Sequence, residues 1–163
     1  MGEGFADDLI ALLPTLKRFA LSLCRSPDVA DDLVQVTVER AFAARDRFDP
    51  ATRLQSWLFR ILRNAWIDMV RRTSTRGVEL DITDAPDAAP VDGTRAVESR
   101  LMLSAVQAAM AELSEDQRMA MHLVCVEELS YAEAAEVLGI PQGTVMSRLS
   151  RARVALASSL GIE

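Results

Sequence analysis

The sequence predicts an all-α protein made of two small helical domains joined by a flexible linker. Helix-forming alanine, leucine, arginine and glutamate are abundant among the 163 residues, whereas aromatic residues make up only 5%. Apolar residues recur at intervals of three and four positions, which is the period of a helix. This periodicity stops between about residues 73 and 95. Because the length suits one large domain or two small ones, the interruption favours two.

The first domain, residues 1–72, is predicted to be a three-helix bundle. Helical periodicity runs through residues 5–23, 29–42 and 54–70. Pro14 indicates either an early turn or the start of a fresh helix. Ser26-Pro27-Asp28 separates the first two segments, with Pro27 or Asp28 at the helix start, and Phe48-Asp49-Pro50 separates the last two.

Residues 73–95 are predicted to form the flexible linker, because they are rich in glycine, proline, threonine and acids. Residues 96–163 then predict a four-helix domain. Ser114 followed by Gln117, and Ser130 followed by Glu133, both have the spacing of a capping box at a helix start. Gly139 suits the left-handed position that ends a helix.

Residues 130–157 predict a helix-turn-helix, the strongest motif in the chain. Val145, Leu149, Ala152 and Leu156 form one apolar stripe on its second helix. With that stripe buried, the positions that face outward are Gly143, Ser147, Ser150, Arg151 and Val154, flanked by Thr144, Met146 and Arg148. This surface is polar and positive, so DNA binding is the favoured interpretation over a hairpin used only for packing.

The net charge of −6 argues against nucleic-acid binding until the charges are located along the chain. Residues 45–72 carry seven arginines against three aspartates, and residues 137–162 carry three arginines and no acid. Two basic patches therefore sit on an acidic body. No apolar run is long enough for a membrane span, and the first residues are acidic where a signal peptide is basic. A cytoplasmic protein is expected.

Catalytic and metal-binding chemistry is not expected. Cys24 and Cys125 lie about a hundred positions apart among apolar residues and are interpreted as core thiols. His122 has no nucleophile or carboxylate at a recognisable catalytic spacing and is interpreted as a structural or surface residue. The sequence therefore predicts no catalytic residue, no metal site, no cofactor and no enzyme.

Three stretches resemble the extracytoplasmic-function group of bacterial sigma factors, in the order of that family. The first is Ala30-Asp31-Asp32-Leu33-Val34-Gln35 followed by Glu39-Arg40-Ala41-Phe42. The second is Trp57-Leu58-Phe59-Arg60-Ile61 with Asn64, Asp68 and Arg71-Arg72. The third is Gly143-Thr144-Val145, Ser147-Arg148-Leu149 and Arg151-Ala152-Arg153. The resemblance implies a sigma-2-like first domain and a sigma-4-like second domain.

The resemblance also implies roles for individual residues. It assigns docking on the clamp helices of the β′ subunit of polymerase to Asp31, Asp32, Gln35 and Glu39. Recognition and melting of the minus 10 element falls to Trp57, Arg60, Arg63, Asn64, Arg71 and Arg72. Asn64 would lie at a junction between two short helices, and Trp57 or Trp66 could stack on bases, although the helical spacing of Trp57 with Ile61 favours a core position. Recognition of the minus 35 element falls to Thr144, Met146, Ser147, Arg148, Ser150, Arg151 and Arg153.

Two positions depart from the family pattern. Val36 stands where the family has glutamate, which removes one polar contact from the docking helix. Met146 stands where a basic residue is common, and methionine cannot form the bidentate bond to guanine that arginine forms. The departure leaves the preferred minus 35 sequence open.

The resemblance implies a sigma factor that binds core RNA polymerase through the β′ clamp helices and the β flap and directs initiation at promoter DNA. It also implies control by an anti-sigma factor. Two alternatives stay open from the residues alone. One is a self-sufficient helix-turn-helix regulator that binds DNA as a dimer, and the other is a sigma-like decoy that only titrates an anti-sigma protein.

Overall fold

The computed structural model describes residues 2–76 and 94–162, and within these ranges the regular structure is helical. Residues 77–93, which contain most of the expected linker, lie outside the described residues. The first bundle consists of α1 (Gly2–Ala11), α2 (Leu13–Cys24), α3 (Pro27–Ala43), a 3-10 turn (Arg45–Arg47) and α4 (Leu54–Arg76). The second bundle consists of α5 (Thr94–Glu112), α6 (Glu115–Met121), a π-helical segment (His122–Val126), α7 (Tyr131–Leu138) and α8 (Gln142–Leu160).

Proline and serine residues set the helix starts in the first bundle. Pro14 lies in the first turn of α2, so the first apolar segment is two helices, as one of the two readings of this proline allowed. Ser26 caps α3 by accepting a hydrogen bond from the Val29 backbone N–H, and Pro27 occupies the first helical position. The break at Phe48-Asp49-Pro50 is confirmed between the 3-10 turn and α4.

Helix α4 is longer than the sequence predicted, and it is continuous. It runs without interruption from Leu54 to Arg76, past the expected domain end at residue 72. The expectation of a junction between two short helices at Asn64 is therefore wrong for this structure. Residues 54–76 contain neither proline nor glycine, and the buried side chains of Leu58, Leu62 and Ala65 continue through the position, so nothing there breaks the helix.

The second bundle confirms the sequence-based capping assignments. Both capping boxes, Ser114 with Gln117 and Ser130 with Glu133, are formed in both directions, and Gly139 ends α7 with a φ of 65°. Cys24 is buried as expected, but the expectation that both thiols fill the core is wrong for Cys125, which is exposed. The π-helical segment directs His122 and Leu123 into the core and leaves Cys125 on the outside.

The two bundles are packed against each other. Helix α4 packs on α7, and α2 packs on α6. The buried apolar side chains form one cluster that includes Phe19 and Phe59 of the first bundle and Leu123 and Val137 of the second. Among residues 2–76 and 94–162, no helix has both the length and the apolar character that crossing a bilayer requires.

Candidate nucleic-acid interface

Helix α8 has the surface that the apolar stripe predicted. Val145, Leu149 and Ala152 are buried against the rest of the second bundle. Thr144 and Arg148 are half-buried at the edges. The remaining side chains of the predicted minus 35 set are exposed: Met146, Ser147, Ser150, Arg151 and Arg153. One helix face therefore carries short hydroxyls, an exposed methionine and arginines, which suits a helix placed in the major groove.

The arginine side chains of α8 differ in how accessible they are to a ligand. Arg151 and Arg153 are exposed, whereas an Arg148 guanidinium nitrogen lies 3.8 Å from a carboxylate oxygen of Asp116 on α6. Pro141 precedes the helix without a side-chain cap, so the first backbone N–H groups of α8 are not capped by that residue. Such a helix start favours a phosphate oxygen.

Helix α4 carries the second basic surface. Arg60, Asn64 and Arg71 are exposed, and their spacings of four and seven residues place them on the same side of the helix. They extend over about 16 Å of helix at a rise of 1.5 Å per residue. Arg72, next to Arg71, is also exposed. The amide of Asn64 is thus flanked by two arginines, an arrangement suited to one base edge and two phosphates.

The other side chains considered for the minus 10 element contact other parts of the protein. They are those of Trp57, Trp66 and Arg63. The ring of Trp57 is half-buried against Phe5 and Phe48, with the Phe48 ring centroid 5.1 Å away. Trp57 therefore packs within the protein, as its helical spacing with Ile61 predicted. Trp66 is buried and its indole N–H donates to Glu115. Arg63 is half-buried beside Asp116 and Arg148, and burial is the main reason that its pKa is lowered.

Helix α3 presents the acidic surface expected for docking. Asp31, Asp32, Gln35 and Glu39 are all exposed, and Asp31 also pairs with Lys17 at 3.1 Å. The structure therefore brings these four polar side chains to one side of α3. Helix α3 is joined to α4 by a hydrogen bond of 3.0 Å from the Arg40 guanidinium to Asp68.

A buried acid that sequence reasoning missed lies between the bundles. Glu127 is 5% exposed and accepts two hydrogen bonds from Arg18, at 2.7 and 2.8 Å. Its carboxylate also lies 3.0 Å from Nε2 of His122. Burial alone raises the pKa of Glu127, but hydrogen bonds and charges from Arg18 and His122 together outweigh burial and hold it below its usual range. No local pattern marks Glu127, since Arg18 is 109 positions away.

The His122 ring has a structural position, which is one of the two that the sequence left open. It is buried and stacked on Phe19 of α2 with ring centroids 5.4 Å apart. Burial lowers the pKa of His122, while the neighbouring Glu127 opposes that change. The imidazole is therefore neutral near pH 7, and the charge of Glu127 is balanced by Arg18.

Comparison with known proteins identifies both bundles. The family profile Sigma-70 region 2 matches residues 9–76, and the family profile Sigma-70, region 4 matches residues 103–156. The chain belongs to the sigma-70 family. Region 2 of this sigma factor spans most of the first bundle, and region 4 contains the helix-turn-helix of α7 and α8.

Its relatives are extracytoplasmic-function sigma factors. The chain is 37% identical to the sigma factor EcfG of Rhodopseudomonas palustris, over 99% of this chain and 87% of that protein. It is similar in structure to RpoE in the complex of that sigma factor with the anti-sigma factor NepR from Bartonella quintana, with a TM-score of 0.82, 34% identity and 99% coverage of both chains. CnrH, in its complex with the cytosolic domain of CnrY, matches with a TM-score of 0.70 and 27% identity, over 99% of this chain and 90% of that chain.

Membership in the sigma-70 family establishes the general function of this protein. As a sigma factor of the extracytoplasmic-function group, the protein binds core RNA polymerase and directs promoter-specific initiation of transcription. It is a specificity factor and not an enzyme. The first bundle thus has a function that a self-sufficient helix-turn-helix regulator would not require.

Proposed function

We propose that α8 reads the minus 35 element within a sigma-4-like domain of residues 96–163. Met146, Ser147, Ser150 and Arg151 would face base edges, while Thr144, Arg148 and Arg153 contact phosphates. The observation that supports this assignment is the exposure of the Met146, Ser150 and Arg151 side chains opposite a buried stripe. Arginine and serine supply the donors and acceptors that base edges and phosphates recognise.

Helix α4, within a sigma-2-like domain of residues 1–72, recognises the minus 10 element. Asn64 reads an extruded base, and Arg60, Arg63, Arg71 and Arg72 hold the phosphates of the opened strand. Trp57 keeps only the exposed part of its half-buried ring for stacking. Extruding a base costs a few kcal/mol, so melting depends on favourable contacts with the exposed strand. Residues 73–95 join the two domains.

Core RNA polymerase is bound by two surfaces of different chemistry. Asp31, Asp32, Gln35 and Glu39 on α3 meet basic side chains of the β′ clamp helices, where opposite charges steer association. The β flap takes the apolar surface of α5, where the large side chains of Val97, Leu101, Met102 and Leu103 are exposed. Exposed large apolar side chains of this kind are typical of a protein interface.

We infer that an anti-sigma factor controls this protein and that it acts in the cytoplasm, where polymerase and promoters are found. The support for an inhibitor is the likeness to RpoE and CnrH, whose structures contain NepR and CnrY respectively. The same exposed surfaces that bind polymerase are the ones that an inhibitor has to cover.

Run-off transcription with purified core polymerase tests the residue assignments. The Arg148→Ala/Arg151→Ala double variant and the Asn64→Ala variant should each lose at least about tenfold in transcript, while Gln107→Ala, at an exposed position outside both basic surfaces, should keep it. Permanganate footprinting then separates the two steps. The Asn64 variant should hold the promoter closed, and the arginine variant should fail to bind it.

A titration in the native host tests for the inhibitor. A promoter reporter should stay silent until production of the chain exceeds a threshold, and then rise steeply, because a stoichiometric inhibitor must first be saturated. A response proportional to the amount of sigma factor from the lowest level would contradict anti-sigma control.

A further inference from the structure

The basic surface of α4 contains one acid. Asp68 is the only aspartate or glutamate in the sequence of this helix. It follows Asn64 by four residues, and it precedes Arg71 by three and Arg72 by four, so the helical period places all four on the same side of α4. At a rise of 1.5 Å per residue, Asp68 lies about 6 Å along the helix from Asn64 and about 4.5 Å from Arg71. The carboxylate therefore lies within the surface that we assign to the minus 10 strand.

A carboxylate without a partner at this position would weaken strand binding in two ways. It would repel the phosphates of the strand, which carry the same sign of charge. It would also attract neighbouring guanidinium groups, because side chains three and four residues apart on a helix are close enough to form an ion pair. Arg71 and Arg72 lie at those two spacings from Asp68. An arginine paired with this carboxylate is less available to a phosphate.

The partner of Asp68 in the structure is Arg40 of α3. Nη1 of Arg40 donates a hydrogen bond of 3.0 Å to Oδ2 of Asp68, and the two charges form an ion pair between the helices. Within residues 2–76 and 94–162, no ion pair joins Asp68 to Arg71 or Arg72, and both of these arginines are exposed. The acid is thus paired with a residue of another helix, while the arginines beside it remain exposed.

The packing of α3 on α4 brings Arg40 to Asp68. Thr37 and Ala41, on the same turn of α3 as Arg40, are completely buried. The side chains of the pair lie at the rim of this packed surface, since that of Arg40 is 40% exposed and that of Asp68 is 47% exposed. An ion pair at such an exposed position contributes little to stability. Variants of either residue should therefore fold.

We propose that Arg40 is a positioning residue for recognition of the minus 10 element. It holds the Asp68 carboxylate away from the single strand and leaves Arg71 and Arg72 available to phosphates. The proposal rests on the assignment of α4 to the minus 10 element, and it adds a residue of α3 that does not itself contact DNA. Arg40 acts through Asp68, which distinguishes it from the arginines assigned to the strand.

Binding of the holoenzyme to a single strand tests this role. The probe is a fluorescent oligonucleotide with the nontemplate minus 10 sequence of a promoter that the parent holoenzyme transcribes. Arg40→Met should weaken binding about three- to tenfold, because the released carboxylate repels the strand and competes for Arg71 and Arg72. Arg40→Lys keeps the charge, and the bond to Asp68 is a single hydrogen bond, so this variant should stay within about twofold of the parent.

Variants of Asp68 determine how Arg40 acts. Asp68→Ala removes the carboxylate and should bind the oligonucleotide at least as tightly as the parent, and Arg40→Met/Asp68→Ala should return to the parent value. Arg40→Met/Asp7→Asn has the same net charge as that double variant but removes an exposed acid of α1 instead, so it should remain weak. This variant is the matched control for net charge.

Two outcomes of these measurements would overturn the proposal. If Asp68→Ala weakens binding as much as Arg40→Met does, the pair serves only to join α3 to α4. If Arg40→Met/Asp68→Ala stays as weak as Arg40→Met, then Arg40 contacts the strand itself.

The salt dependence of binding is a second measurement, which a purely structural role would not change. Each phosphate contact with a single strand contributes about −0.7 to the slope of log K against log salt. Arg40→Met diverts one of the two neighbouring arginines to Asp68, so its slope should be less steep by about 0.7. Arg40→Met/Asp68→Ala should recover the parent slope. An unchanged slope in Arg40→Met would overturn the proposal.

Two further measurements separate this proposal from the function on which it rests. If Asn64→Ala and Arg71→Ala leave oligonucleotide binding unchanged, the assignment of α4 fails, and the role of Arg40 fails with it. If those variants weaken binding while Arg40→Met does not, the role of Arg40 fails alone. The affinity of Arg40→Met for core polymerase should equal that of the parent, because the docking side chains of α3 are unchanged. A loss of that affinity large enough to account for the weaker binding would place Arg40 in docking and overturn the proposal.

Discussion

Asp116 of α6 lies 3.8 Å from Arg148 of α8, so an acidic side chain partly neutralises an arginine that we assign to a promoter phosphate. Asp116 is largely exposed, and the pair therefore contributes little to stability. Asp116 has a larger effect on DNA binding, because its carboxylate repels an approaching phosphate.

Replacing Asp116 with asparagine should strengthen binding of the free chain to a minus 35 duplex by about two- to threefold at low salt, with the gain shrinking as salt screens the charge. Fluorescence anisotropy at several salt concentrations measures this. Asp7→Asn on α1 removes the same charge from the other bundle and is the control. Equal gains from both variants would attribute the effect to net charge rather than to position.

Ser130→Ala should lower the free energy of unfolding by about 1 kcal/mol, because it removes the side-chain half of the capping box of α7. Chemical denaturation followed by circular dichroism measures the change. Ser158→Ala, at an exposed position near the end of α8, is the matched control and should change stability by less than about 0.5 kcal/mol. A similar loss from both variants would show that the cap is not the cause.

Acidification should lower the free energy of unfolding as pH falls below about 7.5. Burial lowers the pKa of His122 below its ordinary value of 6.5, with Glu127 opposing and Arg18 adding to the change. The folded chain therefore binds this proton less readily than the unfolded chain does, so the stability that His122 contributes is present above pH 6.5 and is lost as pH falls below it. The slope is at most about 1.4 kcal/mol per pH unit for one proton.

This pH dependence has a clean control, because His122 is the one histidine in the sequence. Histidine is the side chain whose ordinary pKa falls in this range. Thermal or chemical denaturation across pH 5.5 to 7.5 should show the dependence in the parent and a much flatter profile in His122→Gln. An equally steep profile in that variant would assign the proton elsewhere.

Met146→Arg should change the preferred minus 35 sequence by favouring guanine at the position that residue 146 faces. Arginine forms a bidentate bond to guanine worth about 1 to 3 kcal/mol, which methionine does not form. Run-off transcription from a set of minus 35 variants measures the preference. Val154→Arg, at an exposed position two turns further along α8, adds the same charge and should raise affinity without that change in sequence preference.

The helix-turn-helix could be predicted from sequence almost residue by residue. Its signals are local: the capping box of Ser130 with Glu133, Gly139 at the end of α7, and the stripe of Val145, Leu149 and Ala152. Capping and helical periodicity involve residues three or four apart, so a linear sequence contains all the information. The exposed faces of α3 and α8 followed from the same periodicity.

The interface between the bundles could not be predicted in this way. Arg18 and Glu127 are 109 positions apart, and each taken alone resembles an ordinary surface charge. Cys125 was misplaced because the π-helical segment shifts the helical period at that point. The continuity of α4 at Asn64 was missed for another reason, since the resemblance to a family was followed there instead of the uninterrupted apolar side of this helix.

The exposed acids of α3 have a kinetic consequence for assembly of the holoenzyme. Encounter with the clamp should be a second-order step steered by opposite charges, so its rate constant should fall as salt screens them. In stopped-flow mixing, the observed rate would then rise with enzyme concentration, with a slope that decreases as salt is added. Asp32→Asn should lower that slope, whereas Asp7→Asn on α1 should change it less.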